Sequence, residues 1–205
     1  MKSKIVGFVL IVIMIMSLSG VLIYKLLMTG EKPNLVVNVE MTISEYAYTL
    51  DSRDSGLMKE EFKSLKTNLE SNNPDYEEYA KSLAKLYIID LYTISNKINI
   101  YDIPCLEYLL PPDIENFKTN IKNTLYLYLK DNVGGKRHQE LPTVKSIRVD
   151  NLKLITYEID KVEYDAYEIE LSWEYESELG YDKQAILTII KKDNKLFVVK
   201  DQVKE

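Results

Sequence analysis

The residue whose type and setting point most directly to chemistry is Asp90, a carboxylate inside an otherwise apolar run. Residues 86–94 read LYIIDLYTI, so a helix over this run is apolar on nearly every face. A carboxylate in such a setting must be ion-paired, hydrogen-bonded or kept neutral by a raised pKa. Two interpretations are open: Asp90 lines a ligand pocket, or it lies on the thin polar side of its helix or bonds a loop backbone.

Tyrosine hydroxyls could complete a pocket around Asp90 that binds or transforms a small molecule. A carboxylate base and a tyrosine donor are residue types that proton-transfer catalysis uses. The candidate lining residues are Tyr87, Tyr92, Tyr126 and Tyr128. The chain contains 16 tyrosines, so their presence near a carboxylate is easily a coincidence, and a tyrosine-rich core is the alternative explanation.

Recognisable motifs for other chemistry are missing from the sequence. His138 is the only histidine and Cys105 the only cysteine, whereas a metal site needs several convergent nitrogen or sulfur ligands. The loop GGKRHQELP at residues 134–142 lacks the phosphate-binding pattern, and the apolar neighbours of Cys105 favour a buried thiol. We therefore expect no metal, no cofactor and no catalytic residue, and we expect His138 to lie in a solvated loop.

A second candidate surface is an acidic row on a predicted strand. Strict alternation from residue 167 to 175 places Glu168, Glu170 and Glu174 on the face opposite a run of apolar residues. The row could bind a partner. Lysines on neighbouring strands could instead balance it, which would make it an ordinary solvated face.

The charge of the chain limits its partners. The 26 basic and 32 acidic residues give a net charge of −6, and because Lys2, Lys4 and Lys25 are the only charges in residues 1–30, residues 31–205 carry −9. A region this acidic is repelled by nucleic acid and by anionic lipid surfaces. Nucleic acid is therefore not an expected partner.

The elements that must position these residues form an α+β domain over residues 35–205. Alternation predicts an N-terminal strand at 35–50, with a bulge or bend near Ser44, and antiparallel strands over 143–201. Helical spacing and capping residues predict helices at 55–70, 74–95 and 113–131. The expected fold is about three helices packed on one face of a curved antiparallel sheet of four to six strands.

The N-terminal region predicts a membrane anchor. Residues 5–24 carry no charge, and a helix of that length is roughly 30 Å long, which matches the bilayer core. We assign residues 1–4 to a cytoplasmic tail, 5–28 to a transmembrane helix and 29–34 to a short linker. A cleaved signal peptide is the alternative, although the run is longer than a signal core and no A-x-A site follows it.

The positive-inside rule alone does not decide the orientation of the anchor, because lysines flank it on both sides. A short tail with two lysines before the first apolar run is typical of a signal-anchor, and long domains that follow an anchor are translocated largely regardless of charge. We therefore expect a single-pass protein of the cell membrane with its N-terminus in the cytoplasm and its C-terminal domain outside.

Two resemblances extend this interpretation. By element order, residues 55–201 resemble the cone-like fold of nuclear transport factor two and ketosteroid isomerase, which also occurs in type IV secretion and conjugation assembly factors. The segments YAYTLDSRDS at 46–55, IIDLYTISNKI at 88–98, QELP at 139–142 and ELGYD at 178–182 resemble small single-pass membrane proteins of low-GC Gram-positive bacteria. The first resemblance implies a fold and the second a location, and neither implies an activity.

Two functions follow as hypotheses. The first is a non-catalytic, membrane-anchored extracytoplasmic module that binds other envelope proteins as part of an assembly; a second copy of the chain is a further candidate partner. The second is a cone-shaped domain that binds or transforms a small molecule, with Asp90 and the tyrosines in its pocket.

Overall fold

The computed structural model describes residues 38–204. The predicted tail, anchor and linker at residues 1–34 lie outside these described residues. Within 38–204, no helix is both long enough and apolar enough to cross a membrane.

The described chain begins with a hairpin where the sequence predicts one bulged strand. Strand β1 (Val39–Ile43) pairs antiparallel with β2 (Tyr48–Asp51), and a 3-10 turn at Ser44–Tyr46 joins them. Ala47 closes that turn in the left-handed conformation at φ 53°. The shift in apolar phase near Ser44 therefore marks a reversal of the chain and not a bulge.

Two α-helices, α1 (Gly56–Leu69) and α2 (Tyr76–Tyr92), follow the hairpin. A third, α3 (Ile114–Asn123), follows the irregular connection after α2. The Ser55 side chain caps α1 by accepting from the Met58 N–H, and the Asp75 carboxylate caps α2 by accepting from two backbone N–H groups. Helix α2 is the central one, since ten of its residues are buried.

Helix α3 ends eight residues before its predicted end. Thr124 leaves the helical conformation, and tight turns follow it, with the Leu129 N–H donating to the Tyr126 carbonyl. These turns bury Tyr126 and Leu129 in the core and leave Leu127 and Tyr128 in solvent. The helix therefore ends early, and the turns that follow it place an aromatic and an aliphatic side chain in the core.

The main sheet is a meander of four antiparallel strands in the order β3 (Val144–Ile159), β4 (Val162–Tyr175), β5 (Gln184–Lys192) and β6 (Lys195–Val203). Its register shifts at Val149/Asn151, where the sequence alternation changes phase, and again at Thr188/Ile189. Asp160 and Lys161 both have positive φ in the turn between β3 and β4, as a two-residue hairpin loop requires.

The core lies between the helices and one face of this sheet. Ile169, Leu171 and Trp173 of β4, together with Leu187 and Ile189 of β5, join the buried residues of α1 and α2 in a single cluster. The prediction of an α+β domain with three helices and a curved antiparallel sheet is confirmed, with the separate two-stranded hairpin added.

Strands β3 and β4 extend beyond the rest of the sheet. The paired residues of β4 and β5 run only from Ala166 to Ser172, whereas β3 and β4 continue to pair up to Ile159 and Val162. Residues 156–165 therefore form a two-stranded projection, which we call the arm. Its pair Tyr157 and Tyr164 lies on one side, and its pair Glu158 and Glu163 lies on the other.

Candidate functional site

Asp90 is held in a buried ion pair. Its Oδ1 accepts from the Lys97 Nζ at 2.5 Å, and its Oδ2 accepts from the Cys105 backbone N–H at 2.6 Å. Burial alone would lower the pKa of Lys97, but the adjacent Asp90 carboxylate raises it, so that Lys97 stays charged. Asp90 therefore attaches the connection after α2 to the helix. This arrangement corresponds to the alternative in which Asp90 bonds a loop backbone and does not line a pocket.

Cys105 belongs to the same arrangement. Its backbone has a left-handed φ of 64°, and its Sγ donates to the Tyr87 carbonyl at 3.2 Å. Burial raises the pKa of the thiol well above its usual value. A thiol that is buried and protonated is unreactive, so its role is structural, as its apolar sequence context indicates.

The structure does not bring the four predicted pocket residues together. Tyr92 packs against Trp173 with their ring centroids 5.0 Å apart, and the side chain of Tyr128 is 82% exposed. Tyr126 is fully buried in the core. Tyr87 lines a groove on the surface, and the lining of that groove does not include Asp90. The tyrosines are largely core residues, as the alternative explanation held.

The acidic row has cationic partners. The Glu168 carboxylate lies 3.5 Å from the Lys153 Nζ, and the Glu170 carboxylate lies 2.7 Å from the Lys204 Nζ. The Glu174 carboxylate accepts from the Ser146 hydroxyl. Lysines therefore balance two members of the row, and its surface is not a strip of unpaired negative charge.

An apolar row crosses the same face of the sheet, which we call the free face because it is opposite the helices. The cross-strand pairs Ile155–Ala166, Ala166–Ile190 and Ile190–Phe197 place one residue of each strand side by side. None of these four residues belongs to the core cluster, but Ala166 and Ile190 are 1% and 0% exposed, so only the half-buried Ile155 and Phe197 reach the surface. Periodicity in single strands did not reveal this row, because it becomes visible only when the register of all four strands is known.

The arm extends this apolar row. Tyr157 and Tyr164 lie two residues further along β3 and β4, so they share the side of Ile155 and Ala166. At the end of the arm, Val162 is 51% exposed. We call Ile155, Tyr157, Tyr164, Ala166, Ile190 and Phe197 the free-face row.

A groove between α3 and β6 brings a predicted pocket residue, Tyr87, next to polar groups that the sequence did not indicate. Its volume is about 410 Å³, which is in the range of small-molecule sites. Tyr87, Leu109, Phe117 and Val198 supply its apolar lining. The other lining residues are Asp113, Asn116, Asn120, Val199, Lys200 and Asp201.

Asp201 carries the strongest electrostatic feature of the groove. Its Oδ2 accepts from the Tyr87 hydroxyl at 3.3 Å. Surrounding protein excludes part of the water, and this raises the pKa of Asp201 to about 6. Sequence reasoning missed Asp201 because it lies in a polar strand end, KDQVKE, that resembles any solvated terminus. Only the packing of β6 against Tyr87 shows its setting.

Among residues 38–204, no group of three histidine, cysteine or carboxylate side chains is arranged to hold a metal ion. The loop that carries His138 lies on the surface, at residues 133–139.

Comparisons with known proteins do not add a function to this geometry. No family model, no curated protein and no solved structure matches the chain. The resemblances to cone-like folds and to single-pass membrane proteins therefore stay predictions.

Proposed function

We propose that this chain is a non-catalytic module, held at the cell membrane by residues 5–28, whose α+β domain binds other envelope proteins on the outer side. The observation that carries the proposal is the free-face row, which lies outside the core cluster and whose half-buried residues Ile155, Tyr157, Tyr164 and Phe197 present apolar surface that continues onto a projecting arm. Apolar surface of this kind on a folded domain is typical of a protein interface.

The composition of this surface fits a protein partner. Two of the six residues in the free-face row are tyrosines, and aromatic residues are enriched at protein interfaces. The ion pairs of Glu168 and Glu170 lie beside the row and neutralise its flank, so an incoming surface meets little net charge there. The acidity of residues 31–205 opposes nucleic acid as the partner.

The arm supplies the sharpest test of this proposal. We expect the double substitution Tyr157→Ser and Tyr164→Ser to reduce crosslinked partner proteins by about tenfold or more, since interface aromatics often contribute about 2 kcal/mol each. The measurement is in vivo crosslinking of the full chain followed by quantitative mass spectrometry. A tagged second copy, co-expressed with the first, tells whether the partner is the chain itself.

A matched control lies on the opposite side of the same arm. Glu158→Gln with Glu163→Gln changes a cross-strand pair facing away from the tyrosines and should leave the captured partners unchanged. Urea unfolding of both variants must give the wild-type midpoint to within the error. If the serine variant captured the same partners as the wild type, the free-face row would not be the docking surface.

The proposed topology has its own test. We expect protease added to intact cells to digest a C-terminal tag, because the domain should lie outside the cytoplasmic membrane. A cytoplasmic protein that stays intact in the same cells controls for lysis. Digestion of the tag only after the cells are broken would place the domain in the cytosol and contradict the proposal.

A further inference from the structure

The groove between α3 and β6 is separate from the free-face row. No residue of the free-face row lines it, and its apolar lining residues Leu109, Phe117 and Val198 belong to the core side of the molecule. A role for the groove is therefore independent of the docking function proposed above.

Most polar groups of the groove are uncommitted within the described part of the chain. Asp201 forms one side-chain hydrogen bond, with Tyr87, and no ion pair with any residue of 38–204. The Asp113 carboxylate and the Asn116 and Asn120 side-chain amides have no protein partner among those residues and, like Asp201, are solvent-exposed, so an incoming ligand can reach them.

We propose that this groove binds an organic ammonium ion, a primary amine attached to a small apolar body, with Asp201 as its counter-ion. The Tyr87 hydroxyl holds Asp201 in place through Oδ2, which leaves Oδ1 for the ammonium. The side-chain carbonyls of Asn116 and Asn120 can accept its remaining N–H groups.

The apolar part of the ligand has its own place. The rings of Tyr87 and Phe117 lie with their centroids 6.5 Å apart at an interplanar angle of 52°, and both rings line the groove. Aromatic faces attract cations as well as apolar groups. Leu109 and Val198 complete a lining that suits a short aliphatic or aromatic body better than a hydrated inorganic cation.

The charges that line the groove favour a positively charged ligand. The groove is lined by the carboxylates of Asp113 and Asp201 and by one cation, Lys200. Asp182 adds negative charge near Asp201 and contributes to the rise in its pKa. The wider domain is acidic as well, which raises the local concentration of cations and repels anions.

The ionisation of Asp201 makes the site dependent on pH. With a pKa of about 6, this carboxylate is charged above that pH and neutral below it, so ammonium binding should weaken as the pH falls through 6. The titratable and charged groups around it are Tyr87, Tyr92, Cys105, Asp113, Asp182 and Lys200. The tyrosines and the cysteine have raised pKa values and stay neutral across this range.

The test uses the full chain purified in a non-ionic detergent, with phenethylammonium as the probe and calorimetry as the readout. We expect saturable binding at about pH 7.5 that weakens about tenfold by about pH 5. Asp201→Asn should weaken binding about tenfold or more at the higher pH, because it removes the counter-ion while keeping its shape. Glu163→Gln, which removes one carboxylate from the arm, is the matched control and should bind as the wild type does.

A second probe separates two sources of the same chemistry. Nα-acetyl-lysine methylamide carries the ammonium as a protein side chain would, and phenethylammonium carries it as a free amine would. Tighter binding of either one supports the site and identifies its natural source. The uncharged analogue 2-phenylethanol should bind at least tenfold more weakly than phenethylammonium. If neither ammonium probe bound, or if Asp201→Asn bound both probes as the wild type does, the proposal would be overturned.

Discussion

Replacing Lys97 with methionine should lower the free energy of unfolding by about 3–5 kcal/mol, the cost of leaving a buried charge without its partner. Lys97 is 6% exposed, and its Nζ is the cation that neutralises Asp90. Without it, the Asp90 carboxylate keeps only the Cys105 N–H as a donor. The measurement is urea unfolding of the full chain, followed by the near-UV signal of its tyrosines.

Two further variants identify the cause of that loss. The double variant Lys97→Met with Asp90→Asn removes both charges and should recover a large part of the lost stability, because the neutral amide needs no counter-ion. Lys153→Met breaks the exposed ion pair with Glu168 and should cost less than about 1 kcal/mol. If the single and double variants at Lys97 were equally destabilised, lost packing and not an unpaired charge would be the reason.

The fate of Asp90 shows how far sequence reasoning reaches in this molecule. Its burial in α2 could be predicted from the apolar run around it, and a partner of some kind was required. The identity of that partner could not be predicted from the sequence. Lys97 lies in the irregular connection after the helix, where no periodicity indicates the path of the chain. Local pattern specifies an element and its faces, whereas a contact between elements depends on how they pack.

The N-terminal hairpin and the end of α3 illustrate the same limit. A phase shift near Ser44 could be read from the sequence, but a bulge and a tight 3-10 turn produce the same shift. The run after Asn123 keeps helical spacing, yet burial of Tyr126 requires a turn there. The long strands β3 and β4 could be predicted well, since strict alternation and turn residues agree over many positions.

The free-face row and the groove could not be predicted from the sequence for a related reason. The free-face row combines one residue from each of four strands, and the groove combines α2, α3 and β6. Each contributing residue is ordinary in its own segment. Asp201 in particular acquires a raised pKa only because β6 brings it to Tyr87.

Stability should fall as the pH rises from about 5 to about 8, because buried carboxyl groups bind protons more tightly in the folded state. Burial raises the pKa of Glu107 to about 7, although two hydrogen bonds from Thr49 oppose the rise. Burial, with the nearby Asp90 charge, raises the pKa of Asp54 to about 6. Both values exceed those of the unfolded chain, where these groups titrate near their ordinary values of 4.5 and 3.8.

The sign and size of the effect follow from proton linkage. Between about pH 4 and about pH 7 the folded state holds more protons than the unfolded state, so each rise in pH across this window favours unfolding. The shift at Glu107 alone corresponds to about 3 kcal/mol, at roughly 1.4 kcal/mol for each pH unit. We therefore expect the urea midpoint to be distinctly higher at about pH 5 than at about pH 8.

Glu107→Gln isolates the largest contribution to this pH dependence. The amide oxygen can still accept from the Thr49 N–H, and no charge is buried, so this variant should be more stable than the wild type at about pH 8 and closer to it at about pH 5. Glu163→Gln on the arm is the matched control for removing one carboxylate. A wild-type urea midpoint that rose with pH over this range would contradict this prediction. It would show that hydrogen bonds and nearby positive charges favour the ionised carboxylates of Glu107 and Asp54 by more than burial disfavours them.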